Sequence, residues 1–248
     1  YEIAQCLVGS EMCIRDSWAT EYHIDGFRFD LMGVHDLDTM KAVRKALDQV
    51  NPDIMVYGEG WTGGESALPA AQQATKNNIY RLDRVGAFSD DIRDGIKGSV
   101  FDFLDKGFVS GKDNMEENIK FSVVAATPHS QVTLTKAGDK CTNWSGQPGQ
   151  SINYISCHDN LTFWDKLAIS NADDSEADRV KMNKLGSAVL FTSQGVPFMQ
   201  AGEEMLRSKP NEKSETGFDE NSYSSPDATN SICLLYTSPS PRDTERSR

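Results

Sequence analysis

Three acidic residues each follow a short apolar run that has the composition of a β-strand. Asp30 ends the run IDGFRFD, Glu59 ends IMVYGE, and Asp159 ends INYISCHD. In a parallel β/α barrel the carboxyl ends of all strands share one face, which holds the functional site. We therefore expect the three carboxylates to converge there. The alternative is that each acid caps the next helix or fixes a turn, as isolated acids at strand ends do.

Glycoside hydrolases use carboxylates that converge on one site as their catalytic groups. In a retaining enzyme one carboxylate is the nucleophile and a second one is the acid and base. A third carboxylate can stabilise the positively charged transition state. Arg28 lies two positions before Asp30, so in a strand the two side chains share a face. Its guanidinium would hold Asp30 ionised; the alternative is a structural ion pair.

Four further side chains are candidates for contact with a sugar. His158 adjoins Asp159 and can donate a hydrogen bond to a hydroxyl group. Trp61, Trp164 and Tyr223 offer flat apolar faces on which sugars stack, with the hydrophobic core as the alternative for each. Trp61 is the best of these because it follows Glu59 in a loop flanked by glycines. The acids do not have the spacing of a calcium-binding loop, so no metal site is predicted.

The elements that must position these residues alternate between strand-like and helical patterns. Strands are predicted at 24–29, 54–57, 84–88, 152–157 and 196–200. Apolar residues at steps of three and four predict a helix at 37–50, and an apolar stripe predicts one at 177–193. Shorter helices are predicted at 68–75, 89–96, 115–126 and 161–169. Asp36 and Ser89 are predicted helix N-caps. The polar stretches 128–150 and 203–226 are predicted to be long loops.

This alternation predicts a parallel sheet flanked by helices. A doubly wound sheet and a β/α barrel share the pattern. A doubly wound nucleotide-binding fold should carry a glycine-rich phosphate turn after an early strand, and the sequence has none of the usual form. Acids follow the strands instead, which favours the barrel. In the helix predicted at 177–193, an apolar stripe of Met182, Leu185, Val189 and Leu190 is expected to be buried.

Composition limits the classes of function. The 248 residues are 38% hydrophobic and carry a formal net charge of -12. This apolar share is adequate for a packed core, whereas a surface so acidic repels phosphate backbones, so nucleic acid is not an expected partner. No run reaches the roughly 20 apolar residues of a membrane-spanning helix. The five cysteines lack metal-ligand spacing.

Both ends of the sequence differ from the body. Residues 1–17 and 233–248 do not continue the periodicity of their neighbours, and the second segment is a low-complexity tail rich in Ser, Pro and Arg. Both strings resemble translated sequencing-adapter read-through; ordinary flexible termini are the alternative. We therefore predict that residues 18–232 form part of a catalytic β/α barrel and that the two end segments are not native to it.

Several motifs resemble the alpha-amylase superfamily. DGFRFDLMG at Asp25–Gly33 resembles its nucleophile motif, GEGW around Glu59 its acid/base motif, and HDN at His158–Asn160 its third-acid motif. They occur in the order of that superfamily. The type I pullulanases are the branch most similar to this chain, through FSDDIRDGIKGSVFD, GVPFMQAGEE and ENSYSSPD.

The resemblance implies a fold and a set of roles. The fold is an α/β (β/α)8 TIM-type barrel, incomplete, with about strands 4 to 8 present, because the superfamily's Asn-His motif after the third strand has no counterpart here. Asp30 would be the nucleophile, Glu59 the acid/base and Asp159 the transition-state stabiliser. Substrate would be bound by a further group of residues: Arg28, His158, Trp61, Asn221 and Tyr223. No cofactor is implied, and a structural calcium ion has no support in the sequence.

The implied activity is retaining hydrolysis of alpha-1,6-glucosidic linkages in pullulan, amylopectin or limit dextrins. The partner is a branched alpha-glucan or an oligosaccharide. Within the superfamily the alternative is an isoamylase or neopullulanase-like hydrolase; outside the enzymes it is a non-catalytic glycan-binding or transporter-associated barrel. Since the barrel is incomplete, we expect this chain to be inactive alone. The sequence does not indicate a cellular location.

Overall fold

The computed structural model describes residues 17–138 and 141–232 of the chain. In this part of the chain, five strands form one sheet in which all neighbours are parallel and follow the order of the sequence. The strands are β1 Gly26–Phe29, β2 Met55–Gly58, β3 Val85–Ser89, β4 Ser151–Asn153 and β5 Val196–Pro197. Apart from Ser17, the two predicted end segments lie outside the described residues.

Helical segments connect successive strands. The α-helices are α1 Leu37–Asp48, α2 Asp90–Lys97, α3 Glu116–Val123, α4 Leu134–Ala137, α5 Phe163–Ser170, α6 Glu176–Thr192 and α7 Asp227–Asn230. A doubly wound sheet reverses its strand order near the middle, whereas this order runs without reversal. The prediction of an incomplete β/α barrel is therefore confirmed. Among the described helices, none is both long and apolar enough to cross a membrane.

The register of the sheet makes β1 and β2 end at the same level. Phe29 pairs with Gly58, and Gly58 pairs with Ala87 on the next strand. A Cβ atom on Gly58 would lie 2.5 Å from the carbonyl oxygen of Phe29, so this register requires glycine. The residues that follow β1 and β2, Asp30 and Glu59, are therefore neighbours at the same edge of the sheet.

The two predicted N-caps are confirmed. The Asp36 carboxylate accepts a hydrogen bond from the backbone N–H of Thr39 at 2.7 Å, and the Ser89 hydroxyl accepts one from Ile92 at 3.5 Å. These bonds satisfy backbone donors that the first helical turn leaves free. Helix α1 then buries the apolar residues at its predicted spacing: Leu37, Met40, Val43 and Leu47.

The helix predicted at 68–75 is absent. Two short 3-10 helices, Ala70–Gln72 and Lys76–Arg81, occupy this region. Between them Gln73 is extended and forms an antiparallel bridge with Asp36. The N–H of Ala74 donates to the carbonyl of His35 at 2.8 Å. Backbone pairing with the loop after β1 therefore replaces the internal hydrogen bonds of a helix.

The apolar stripe predicted for α6 is confirmed at Leu190, which is buried, and at Met182 and Val189, which pack partly buried against the core, but it is wrong at Leu185. The buried residues of α6 are Asn183, Gly186 and Leu190, while Leu185 is 47% exposed. A Cβ atom on Gly186 would lie 2.6 Å from the Phe163 ring. Glycine at this position thus lets α5 and α6 approach closely, beside the contact that Leu190 makes with the same core cluster.

Other predicted boundaries differ from the structure in length. The strands predicted at 152–157 and 196–200 are reduced to β4 and β5, of three and two residues. The helix predicted at 115–126 ends at Val123 because Ala125 and Ala126 take positive φ angles of 58° and 55°. The region predicted as a loop at 128–150 contains α4 and the 3-10 helix Pro148–Gln150.

A buried acid begins the short 3-10 helix Glu203–Met205 that follows β5. Glu203 is 4% exposed, and its Oε1 accepts from the Ser156 hydroxyl at 3.5 Å. Its Oε2 has no hydrogen-bond partner in the described part of the chain. Burial raises the pKa of Glu203 from its ordinary 4.5 to about 7, against the opposing charge of Lys97.

The raised pKa gives an expected pH dependence of stability. Between pH 4.5 and about 7 the unfolded chain ionises Glu203 while the folded chain keeps its proton, so the free energy of unfolding falls as the pH rises, by up to about 3 kcal/mol. Glu203→Gln should remove this dependence and stabilise the fold at pH 7.5. Urea unfolding at pH 5 and pH 7.5 measures both effects. The exposed neighbour Glu204 supplies the control, Glu204→Gln; equal behaviour of the two variants would contradict this explanation.

Candidate active site

Two carboxylates meet at the ends of β1 and β2 around one guanidinium group. Arg28 Nη2 donates to Oε1 of Glu59 at 2.8 Å, and Arg28 Nη1 donates to Oδ1 of Asp30. The backbone N–H of Leu31 donates to the other Glu59 oxygen at 2.8 Å. Burial opposes the charge of Arg28, but the two carboxylates outweigh burial and raise its pKa. The two acids are therefore held in a fixed relation.

The two carboxylates differ in their exposure. Glu59 is 3% exposed, whereas the Asp30 side chain is 65% exposed. Glu59 is fixed in orientation because both of its carboxylate oxygens accept hydrogen bonds, one from Arg28 and one from Leu31. Asp30 is held by Arg28 at Oδ1, and most of its side chain remains exposed. One carboxylate is thus enclosed and one is open to an incoming molecule.

His158 connects the third acid to this pair. Its Nε2 atom lies 3.6 Å from Oδ1 of Asp159 and 3.9 Å from Oδ1 of Asp30. The His158 side chain is 43% exposed, and that of Asp159 is 34% exposed. All three acids therefore border one accessible region at the carboxyl ends of β1, β2 and β4.

A narrow cleft opens beside these residues. Its aromatic wall is built on Phe88, whose ring meets those of Tyr57, Tyr154 and Phe198 edge to face. The guanidinium of Arg28 lies 5.6 Å from the centre of the Phe88 ring. The cleft is lined by Arg28, Glu59, Trp61, Phe88, Tyr154, Cys157, His158 and Phe198. It combines one carboxylate, a guanidinium and an imidazole with apolar ring faces and edges, a lining typical of small-molecule sites.

Gly33 sets the position of Trp61 in this wall. The N–H of Gly33 lies 3.2 Å from the carbonyl oxygens of both Glu59 and Trp61. A Cβ atom on Gly33 would lie 2.6 Å from the backbone of Trp61. Only glycine allows the turn after β1 to dock against the loop after β2, and this docking places Trp61 beside Glu59.

Three other residues predicted to contact a sugar, Asn221, Tyr223 and Trp164, do not line the cleft. Oδ1 of Asn221 accepts from the backbone N–H of Asn160 at 2.8 Å, so its side chain supports the 158–160 turn. Tyr223 is 73% exposed and is not among the residues that line the cleft. Trp164 borders a different pocket, with Glu203.

Lys209 is a supporting residue that the sequence did not reveal. It is 0% exposed, and its Nζ donates to the carbonyl oxygens of Asn160 at 3.0 Å and Glu220 at 2.6 Å. Burial lowers its pKa despite the nearby Asp165. This ammonium group ties the HDN turn to the segment that contains Asn221. A lysine in an acidic, polar stretch gives no sequence signal of burial.

The sequence of this chain was compared with the sequences of known proteins. No family model matches the chain. It is 32% identical over 230 residues to a pullulanase of Bacillus subtilis (strain 168), covering 93% of this chain and 29% of that protein. This chain thus spans less than a third of that relative's length.

Solved structures agree with the sequence match. The pullulanase of Paenibacillus barengoltzii in complex with maltohexaose and alpha-cyclodextrin superposes with a TM-score of 0.78 and 39% identity, covering 95% of this chain and 34% of that one. The pullulanase of Bacillus acidopullulyticus gives a TM-score of 0.77 and 43% identity, covering 91% of this chain and 25% of that one. The resemblance therefore extends through nearly all of this chain.

Proposed function

We infer that this chain, which belongs to the pullulanases of the alpha-amylase superfamily, is part of a retaining glycoside hydrolase that cleaves alpha-1,6-glucosidic linkages. The substrates are pullulan, amylopectin or limit dextrins. The observation that carries the proposal is the pairing of Asp30 and Glu59 around Arg28 at the open end of the strands.

The separation of the acids supports retention. An oxygen of Asp30 and an oxygen of Glu59 lie within 4.8 Å of each other. Carboxyl groups in retaining enzymes are about 5–5.5 Å apart, whereas those in inverting enzymes are about 6.5–9.5 Å apart to admit a water molecule. The pair therefore leaves no room for water between the nucleophile and the sugar, and a direct attack by a carboxylate is the geometry that fits.

In the proposed reaction Asp30 attacks the anomeric carbon while Glu59 protonates the departing glycosidic oxygen. The carbon–oxygen bond to the leaving chain breaks as the ester to Asp30 forms. Glu59 then takes a proton from water, which attacks the same carbon and releases Asp30. The exposed oxygen of Asp30 suits the first role, and the enclosed Glu59 suits proton transfer.

The remaining residues stabilise charge in the transition state or contact the substrate. We assign Asp159 to stabilising the positive charge of the transition state, and His158 and Arg28 to the same sugar subsite. Trp61 offers a stacking face beside Glu59. Asn221 acts by holding the turn at Asn160, and Tyr223 on its exposed segment contacts the longer chain of a bound glucan.

Digestion of pullulan tests this function. A chimera is made in which residues 18–232 replace the matching region of the Bacillus subtilis pullulanase. The relative supplies the missing strands, so the chimera contains a completed barrel. We expect rapid conversion of pullulan to maltotriose and slow cleavage of linear amylose, because the site acts at branch linkages. Panose or isopanose as the main product would favour the neopullulanase-like alternative. Binding of glucan without any hydrolysis would favour the non-catalytic barrel.

A further inference from the structure

A second donor set overlaps the candidate active site. The Sγ atom of Cys157, a ring nitrogen of His158 and a carboxylate oxygen of Asp159 all lie within 4.8 Å of one another. The same is true of ligand atoms from Asp30, Glu59 and His158. His158 belongs to both groups, so one imidazole stands between a thiol and carboxylates from two separate strands. The proposed hydrolysis makes no use of the thiol.

The chemistry of these donors points to one class of ion. Thiolate, imidazole and carboxylate together are the ligands of Zn²⁺, which binds them tetrahedrally at about 2.0–2.3 Å. Ca²⁺ and Mg²⁺ prefer sites built from oxygen alone. In a tetrahedral zinc site, ligand atoms lie roughly 3.3–3.8 Å apart. His158 Nε2 is already 3.6 Å from Asp159 Oδ1 and 3.9 Å from Asp30 Oδ1.

The cleft leaves this set accessible. Cys157 and His158 line its wall, and the side chains of Asp30 and Asp159 are 65% and 34% exposed. Glu59, by contrast, has both oxygens occupied by Arg28 and Leu31. Of the two acids that pair with Arg28, Asp30 is thus the one exposed enough to face an ion at His158, and it shares its charge with Arg28.

We propose that the cleft binds one Zn²⁺ ion through Cys157 Sγ, His158 Nε2, Asp159 and Asp30, and that the bound ion blocks the glucan site. On binding, the Cys157 thiol releases its proton to solvent. Because Asp30 and Asp159 become ligands of the ion, neither remains available to a sugar. The site is inhibitory, and it depends on the cysteine that precedes the HDN turn.

Cobalt substitution tests the ligand set without relying on hydrolysis. The 248-residue chain is prepared with Cys6, Cys13 and Cys233 changed to serine, which leaves Cys141 and Cys157 as its thiols. We expect one equivalent of Co²⁺ to give a thiolate-to-cobalt charge-transfer band in the near ultraviolet, which Zn²⁺ then removes. Cys157→Ser should abolish the band and weaken zinc binding at least about tenfold.

Cys141→Ser is the matched control, because Cys141 is also a free cysteine and is buried away from this cleft among Asn118 and Ala137. It should retain both the band and the zinc affinity. A second variant, Cys157→Ala, and near-ultraviolet circular dichroism of each protein distinguish loss of a ligand from loss of the fold. The proposal fails if folded Cys157→Ser binds zinc as tightly as its parent, if Cys141→Ser loses the band, or if no stoichiometric binding occurs. Since the spectrum needs no substrate, these outcomes are independent of the proposed hydrolysis.

Discussion

Glu59→Gln is expected to lower pullulan hydrolysis at least about 10²–10⁴-fold in the completed barrel. The amide keeps the shape of the side chain and its hydrogen bond from Leu31, but it cannot give a proton to the leaving oxygen. Maltotriosyl fluoride needs no such proton, because fluoride leaves unaided. This substrate should therefore still give a burst of fluoride equal to the enzyme present, followed by a slow phase in which water lacks its base.

Glu65→Gln provides the control for this prediction. Glu65 lies on the same glycine-flanked loop but is exposed, so its replacement should leave both substrates unaffected. The burst is measured by rapid-quench assay of fluoride. A Glu59→Gln enzyme with near-normal pullulan turnover, or with no burst of fluoride, would contradict the role of Glu59 as acid/base.

Asp30→Asn is expected to remove activity on both substrates, by at least about 10³-fold. The amide is a poor nucleophile, so the bond to the anomeric carbon does not form, however good the leaving group is. The burst of fluoride should disappear as well. This loss of the first step distinguishes Asp30→Asn from Glu59→Gln, which retains it.

Asp25→Asn is the matched control for the nucleophile. Asp25 is exposed and directly precedes β1, at the opposite end of the strand from Asp30, so this variant should keep the parent's rates. Both variants are compared by steady-state assay and by mass spectrometry of the enzyme after mixing with maltotriosyl fluoride. A glycosyl adduct that forms on the Asp30→Asn protein would identify a different nucleophile.

The placement of the acids could be predicted because it depends on local rules. A short apolar run followed by an acid predicts a strand end, and parallel strands bring such ends to one face. The structure accordingly places Asp30, Glu59 and Asp159 around one region. Arg28 shares a face with Asp30 through the two-residue period of a strand, and its contact with both acids follows from the adjacency of β1 and β2.

The rest of the site depends on contacts between distant segments, which periodicity does not encode. Lys209 is buried because three backbone and side-chain oxygens from separate turns surround its ammonium group. The aromatic wall around Phe88 arises only when β3, β4 and β5 lie side by side. Likewise, the close approach of α6 to α5 depends on the absence of a side chain at Gly186, where a Cβ atom would meet the Phe163 ring. A single sequence shows each of these residues without its neighbours.

The anomeric configuration of the first maltotriose released from pullulan tests the central claim most directly. Proton nuclear magnetic resonance follows the digestion by the completed barrel within its first minutes, before the reducing sugar equilibrates. Two displacements at one carbon, first by Asp30 and then by water, predict maltotriose that is initially in the α configuration. Maltotriose that is initially in the β configuration would contradict retention. A trisaccharide product that still contains an alpha-1,6 bond would contradict cleavage at the alpha-1,6 linkage.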